Sequence, residues 1–165
     1  MGFREMRRKK QVLSEEEAWK VLEKGTECVL ALAGDDGYPY AVPVNYACEN
    51  GRLYFHGALA GHKFDALRAC PKLSLCVVDR SDTVPEKLTT AYRSVIAFGT
   101  ARILEDPDEI LHACMVLGLR FNPDAAFVES EARGALSRTW CVEVSIEHLS
   151  GKEGLELAKA RRQAQ

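Results

Sequence analysis

No stretch of this sequence approaches the roughly 20 consecutive apolar residues that a membrane-spanning helix needs. The charged opening is followed by no apolar segment, so a secretory leader is not expected and a cytoplasmic location is. Neither a GxGxxG nor a P-loop pattern occurs, which disfavours a Rossmann dinucleotide fold and a P-loop nucleotide hydrolase. The GxSxG elbow is also missing and no cysteine is visibly paired with a histidine, so nucleophilic catalysis has no motif behind it. None of the six cysteines (Cys28, Cys48, Cys70, Cys76, Cys114, Cys141) stands at CxxC spacing. Reduced thiols are therefore expected, and neither a structural zinc nor any other metal site is. A net charge of -2 supplies no field that recruits nucleic acid, and Arg7-Arg8-Lys9-Lys10 reads as a solvated arm.

What is present fits one domain. The 165 residues are enough for a real core but short for two, and 47% apolar with 28% charged residues is an ordinary globular balance. Residues 1–13 read as an N-terminal arm. Ser14 and Glu17 form a capping-box pattern, Ala18, Val21 and Leu22 repeat at helical spacing, and Gly25 is placed to end a helix over 14–24. Three strand-like runs follow, Cys28–Leu32, Tyr40–Tyr46 and Leu53–His56, separated by the turn signals Asp36-Gly37 and Asn50-Gly51. Tight turns dictate antiparallel neighbours. Pro43 offers no N–H, so its strand belongs at an edge or break of the sheet.

Further on, residues 60–69 predict a short helix and Leu73–Val78 a fourth strand. Polar residues 80–90, with Pro85, read as a surface loop. Tyr92–Leu104 reads as a long strand with Gly99 at a bulge. Asp106-Pro107-Asp108-Glu109 is a strong helix start, for a helix to about Leu119. Residues 121–135 mix helical and loop character, Trp140–Ile146 reads as the sixth strand, and 152–165 as a closing helix and tail. The whole predicts a mainly β protein, a small six-stranded antiparallel barrel with flanking helices.

Chemistry concentrates in Tyr54–Lys63. A strand ends, Gly57 and Gly61 bracket a turn of small residues, and His62 and Lys63 open a helix. Backbone N–H groups there, backed by an ammonium, suit a phosphate. An ordinary strand-to-helix turn with a solvated lysine fits the same residues. Pro43-Val44-Asn45-Tyr46 offers an apolar wall with a polar side chain, as in planar-cofactor pockets, although composition alone favours a normal strand whose Tyr46 packs in the core. Arg93-Ser94-Val95 offers a second cation and a hydroxyl. His112 and His148 read as surface or structural histidines.

Taken in order, Phe3–Arg8, Asp35–Tyr46, Tyr54–Ala58, Gly61-His62-Lys63, Arg93–Gly99 and Gly151-Lys152 resemble the pyridoxamine-phosphate-oxidase-like FMN-binding split barrels, and within them the nitroimidazole-resistance (Nim-type) subgroup. The resemblance implies a six-stranded split barrel, a homodimer, and FMN where two subunits meet. Lys63 and His62 would serve the phosphate, and Val44, Asn45 and Tyr46 would line the flavin ring. His56 and Ala58 would lie near the ring, and Arg93, Ser94 and Val95 would complete the pocket, with Trp140 reaching in from the partner chain. The implied activity is reduction of a small nitroaromatic or similar acceptor, with NAD(P)H as a possible electron donor and His56 donating a proton or hydrogen bond. The substrate-phosphate residues of true pyridoxamine-phosphate oxidases have no match here, so vitamin B6 oxidation is not expected. A flavin carrier or sensor without efficient catalysis, and a haem-binding split barrel, are the alternatives.

Overall fold

The computed structural model describes residues 2–163. Twelve regular elements follow the arm: α1 (Glu15–Lys24), β1 (Glu27–Ala33), β2 (Pro39–Asn45), β3 (Ala47–Glu49), β4 (Arg52–Ala58), α2 (His62–Ala69), β5 (Lys72–Val84), β6 (Thr89–Ile103), α3 (Pro107–Phe121), α4 (Ala125–Ala135), β7 (Thr139–Glu153) and α5 (Leu155–Gln163). The strands form one antiparallel sheet in the order β2-β1-β5-β6-β7-β4-β3. Its two edge strands, β2 and β3, are consecutive in sequence, so the chain itself joins the edges at Tyr46. The sheet curls into a barrel that is closed there by covalent continuity rather than by a ladder.

Seven strands replace the expected six because the run through Tyr46 divides between the two edges. The caps, the two Gly turns, the Pro43 edge and the Gly99 bulge fall where expected. Ser14 and Glu17 cap α1 reciprocally, and Asp106 accepts from the N–H groups of Asp108 and Glu109 at the start of α3. Asp36-Gly37 and Asn50-Gly51 take positive φ at their turns. Pro43 sits on an edge strand, and the β6–β7 register shifts at Phe98/Gly99, where a Cβ on Gly99 would run into the Ser145 carbonyl oxygen.

Three boundaries differ. Residues 80–90 are no loop: β5 and β6 continue as a hairpin ladder to Val84 and Thr89, turning over Pro85–Lys87. Residues 125–135 are helical, with Asp124 capping α4. β7 runs on to Glu153, and α5 starts at Leu155 rather than at 152.

Inside the barrel, Leu30, Leu53, Phe55, Leu75, Val95, Ala97, Val142 and Val144 are buried from alternate positions of five strands. Leu13, Val21 and Leu22 from the arm and α1 extend this core, as do Phe64, Leu67 and Trp140. A second cluster lies outside the barrel, where Ala113 and Leu117 of α3 cover Tyr54 and Cys141. Glu153, fully buried, is held by Arg93 and Arg161, with Arg161 also bound to Glu17, so one carboxylate ties β6, β7, α5 and α1 together. Among the described residues no helix is long and apolar enough to cross a membrane.

Candidate functional site

At the end of β4 the chain turns through Leu59, Ala60 and Gly61 into α2. Gly61 takes φ 131°, which disfavours any residue with a Cβ. No side chain caps α2; the Phe64 and Asp65 N–H groups bond the Gly61 carbonyl, and those of His62 and Lys63 have no backbone partner among the described residues. His62 stacks on Tyr40, with ring centroids 4.0 Å apart, and its Nε2 lies 3.5 Å from Asp35 Oδ2.

Lys63 points the other way. Its Nζ lies 5.7 Å from the Phe55 ring centroid and 5.9 Å from that of Trp140. A Cβ built on Gly57 would be 3.5 Å from this Nζ and 3.5 Å from the Cε2 edge of the indole, so the two side chains meet over that glycine. Lys63 forms no ion pair among the described residues, and burial pulls its pKa below the usual lysine value. The adjoining Trp140 Nε1 is buried and donates to nothing. Two nitrogen donors without acceptors thus sit together beside a free helix N-terminus.

His56 is two residues before the end of β4, exposed on its outer face, and pairs with Cys141 of β7. Partial burial and then the Lys63 charge lower its pKa. With Asn45 and Thr139 it lines a cavity of about 350 Å³ whose apolar walls come from Leu117, Phe121 and Phe127 of α3 and α4. Phe121 and Phe127 were not anticipated as site residues. Their apolar side chains in the ambiguous 121–135 segment were the available signal.

The structure therefore gathers Asn45 with His56 around one cavity, and Lys63 with Trp140 just inside, with Ala58 exposed at the strand's end. It separates the remainder. Tyr46 is fully buried and donates its phenol to the Leu22 carbonyl, so it closes the core rather than lining a ligand. Val95 is fully buried inside the barrel, and half-buried Val44 packs against the same core. Arg93 is neutralised by Glu153 and Asp79. Its neighbour Val95 pairs with Gly151, roughly 35 Å along β7 from Trp140 at about 3.3 Å per residue. Trp140 is buried against Phe55 and Phe64 of its own chain, beside that chain's own Lys63. His112 is engaged by Glu49 at 2.8 Å and His148 stacks on Phe3.

A family model described as pyridoxamine 5'-phosphate oxidase matches residues 14–153, from the cap of α1 to the end of β7. The chain belongs to this family. Among solved structures of the same fold, a conserved hypothetical protein of Mycobacterium tuberculosis is 21% identical, with a TM-score of 0.79 covering 93% of this chain and 92% of that one. A candidate 5-nitroimidazole antibiotic resistance protein of Bacteroides thetaiotaomicron is 20% identical (TM-score 0.71; 86% and 85% covered). An FAD-binding protein of Mesorhizobium loti is 25% identical (TM-score 0.61; 87% and 97% covered). A curated relative, an uncharacterised protein of Rhizobium meliloti (strain 1021), is 39% identical over 69 residues, 42% of this chain and 44% of its own length. The match thus spans less than half of that relative.

Proposed function

We propose that this family member is a flavin-dependent reductase, a homodimer that holds FMN by its phosphate at the start of α2 and serves a small aromatic acceptor such as a nitro compound. The observation that carries this reading is the donor set without acceptors. Lys63 Nζ meets the indole whose Nε1 is orphaned, and Lys63 itself belongs to the first turn of α2, which no side chain caps. Such a cradle fits a ligand with a doubly charged, oxygen-rich end. The FAD-binding and nitroimidazole-resistance relatives support the same cofactor class and acceptor class.

When bound, FMN supplies reversible two-electron chemistry. The protein's own residues do the rest. Lys63 and the start of α2 hold the phosphate, and His62, braced by Tyr40 and Asp35, flanks it. The cavity beside Asn45 and His56 presents the aromatic side chains of Phe121 and Phe127 to a flat acceptor. His56, with its lowered pKa, is neutral near pH 7 and offers a hydrogen bond from a ring N–H rather than a stored proton. NADH or NADPH would reach the flavin directly, without a separate nucleotide domain.

The dimer has a surface to form on. Val29, Cys76, Ile96 and Ser150 make one row across the outer face of β1, β5, β6 and β7. With Val78 and Phe98 the face is apolar and exposed, Val29 at 44% and Val78 at 61%. Ser94 pairs with Val78 and Lys152 in a neighbouring row, so it would contribute to the partner's pocket rather than its own.

Absorption spectroscopy tests the proposal. Protein incubated with FMN and gel-filtered should keep a flavin band, which NADH or NADPH bleaches rapidly without oxygen and a nitroaromatic restores. A flavin band that neither nucleotide bleaches would contradict the enzyme and support a carrier, and haem bands on the purified protein would overturn the flavin assignment.

A further inference from the structure

The outer cluster beneath α3 contains a second reactive element that the flavin chemistry does not use. Cys114 of α3 and Cys141 of β7 place their sulfurs 3.5 Å apart, the only cysteine pair in sulfur contact among the described residues. We propose that Cys114 and Cys141 form a peroxide-responsive dithiol, with Cys114 the attacking sulfur and Cys141 the resolving one. The ligand class is a small hydroperoxide, hydrogen peroxide being the simplest.

Position distinguishes the two. Cys114 is half-buried and lines the cavity shared by His56, so a small oxidant reaches its sulfur. Cys141 is fully buried, and its sulfur also lies 3.9 Å from the Ile110 carbonyl. The hydrogen bond between the two sulfurs holds the Cys114 thiol below its usual range and pushes the Cys141 thiol up. Burial raises Cys28 and Cys48 to about 12, which leaves them inert. The sulfurs, 3.5 Å apart, have about 1.5 Å to close to reach the roughly 2.05 Å of a disulfide.

The chemistry closes. The Cys114 thiolate attacks one peroxide oxygen, the O–O bond breaks, and hydroxide leaves and takes up a proton as water. Cys114 is then a sulfenic acid. Cys141 sulfur attacks Cys114 sulfur, the S–O bond breaks, and the second oxygen leaves as water with the Cys141 proton. Two thiols lose two electrons to the peroxide, which becomes two waters. The new bond would fasten α3 to β7 at the residue that pairs with His56.

The test uses the intact reduced protein without added flavin, so it stands apart from the cofactor assignment. The protein is treated with stoichiometric hydrogen peroxide, its remaining thiols are alkylated, and peptides are mapped by mass spectrometry. The expected result is a Cys114–Cys141 disulfide, four of the six thiols still free, and full reversal by dithiothreitol. In Cys141→Ser, dimedone should label Cys114 as the trapped sulfenic acid. Retention of all six thiols, bridging of another pair, or over-oxidation of Cys114 without a disulfide would each overturn the proposal, and none of these readouts on the unaltered protein depends on a variant folding.

Discussion

The phenol of Tyr46 donates to the backbone carbonyl of Leu22, where the chain passes from one edge of the sheet to the other. This bond fastens the split of the barrel to the last turn of α1. Gly25 leaves room for it, since a Cβ there would meet the Tyr46 hydroxyl and stand 2.8 Å from Val77 Cγ1. Tyr46→Phe leaves the Leu22 carbonyl without that donor and should cost about 1–3 kcal/mol. Denaturant unfolding should show that loss while FMN affinity stays unchanged, because Tyr46 faces the core.

Glu153 makes a second prediction. It is fully buried between Arg93 and Arg161, and Glu153→Gln removes the carboxylate the two guanidinium groups share, leaving Arg93 with Asp79 alone and Arg161 with Glu17 alone. Leaving a buried charge wholly unpaired costs about 3–5 kcal/mol, and the remaining partners keep this loss below that range. A fall in Tm should follow, and Arg93→Met should weaken the fold without acting as the loss of a flavin-binding cation.

His56 should titrate below its ordinary value near 6.5, because burial and Lys63 both disfavour its charged form. The sign follows directly. As pH falls, the unfolded chain takes up this proton first, so the site's contribution to stability is complete above pH 6.5 and is lost as pH falls through the folded value. An NMR titration of the imidazole checks the midpoint. His56→Ala should leave FMN bound and slow single-turnover reduction of a nitroaromatic by roughly 10²-fold, at the low end for a positioned proton or hydrogen-bond donor.

The apolar sheet face gives the assembly prediction. Ile96→Lys puts a charge in the middle of the row formed with Val29 and Cys76. Sedimentation should find a dimer for the unaltered protein and a monomer for this variant, which should also lose FMN if Ser94 serves the partner's pocket.

Much of this was legible in the chain because local chemistry dictated it. Ser14 with Glu17, Asp106 with Pro107, and the two Gly-containing turns each specify an element from within a few residues. Pro43 marked an edge because it lacks a donor, and Gly99 marked a bulge. What stayed illegible depended on distant partners. The 80–90 hairpin was hidden because its residues are largely solvent-facing on both sides and show no alternation. Composition alone favours Tyr46 in the core, where it lies, and its pocket role came only from the resemblance; that its strand changes edge there has no local signal. Arg93 looked free because Glu153, 60 residues away, neutralises it. The meeting of Cys114 with Cys141, and of Phe121 with His56, is tertiary and has no spacing signature.

The central claim rests on the half-buried ammonium of Lys63, held beside an indole N–H without an acceptor. Its lowered pKa means that the ligand-free protein gains stability as pH rises from the folded value toward 10.5, since the folded state sheds that proton first. FMN should reverse the penalty. The direct measurement is a titration of the protein with FMN, followed by tryptophan quenching, in the unaltered chain and in Lys63→Met. The account predicts saturable quenching, and in the variant a loss of about 1.5–3 kcal/mol, roughly 10- to 100-fold in Kd. Equal affinity in the two proteins, or no saturable quenching in either, would contradict it.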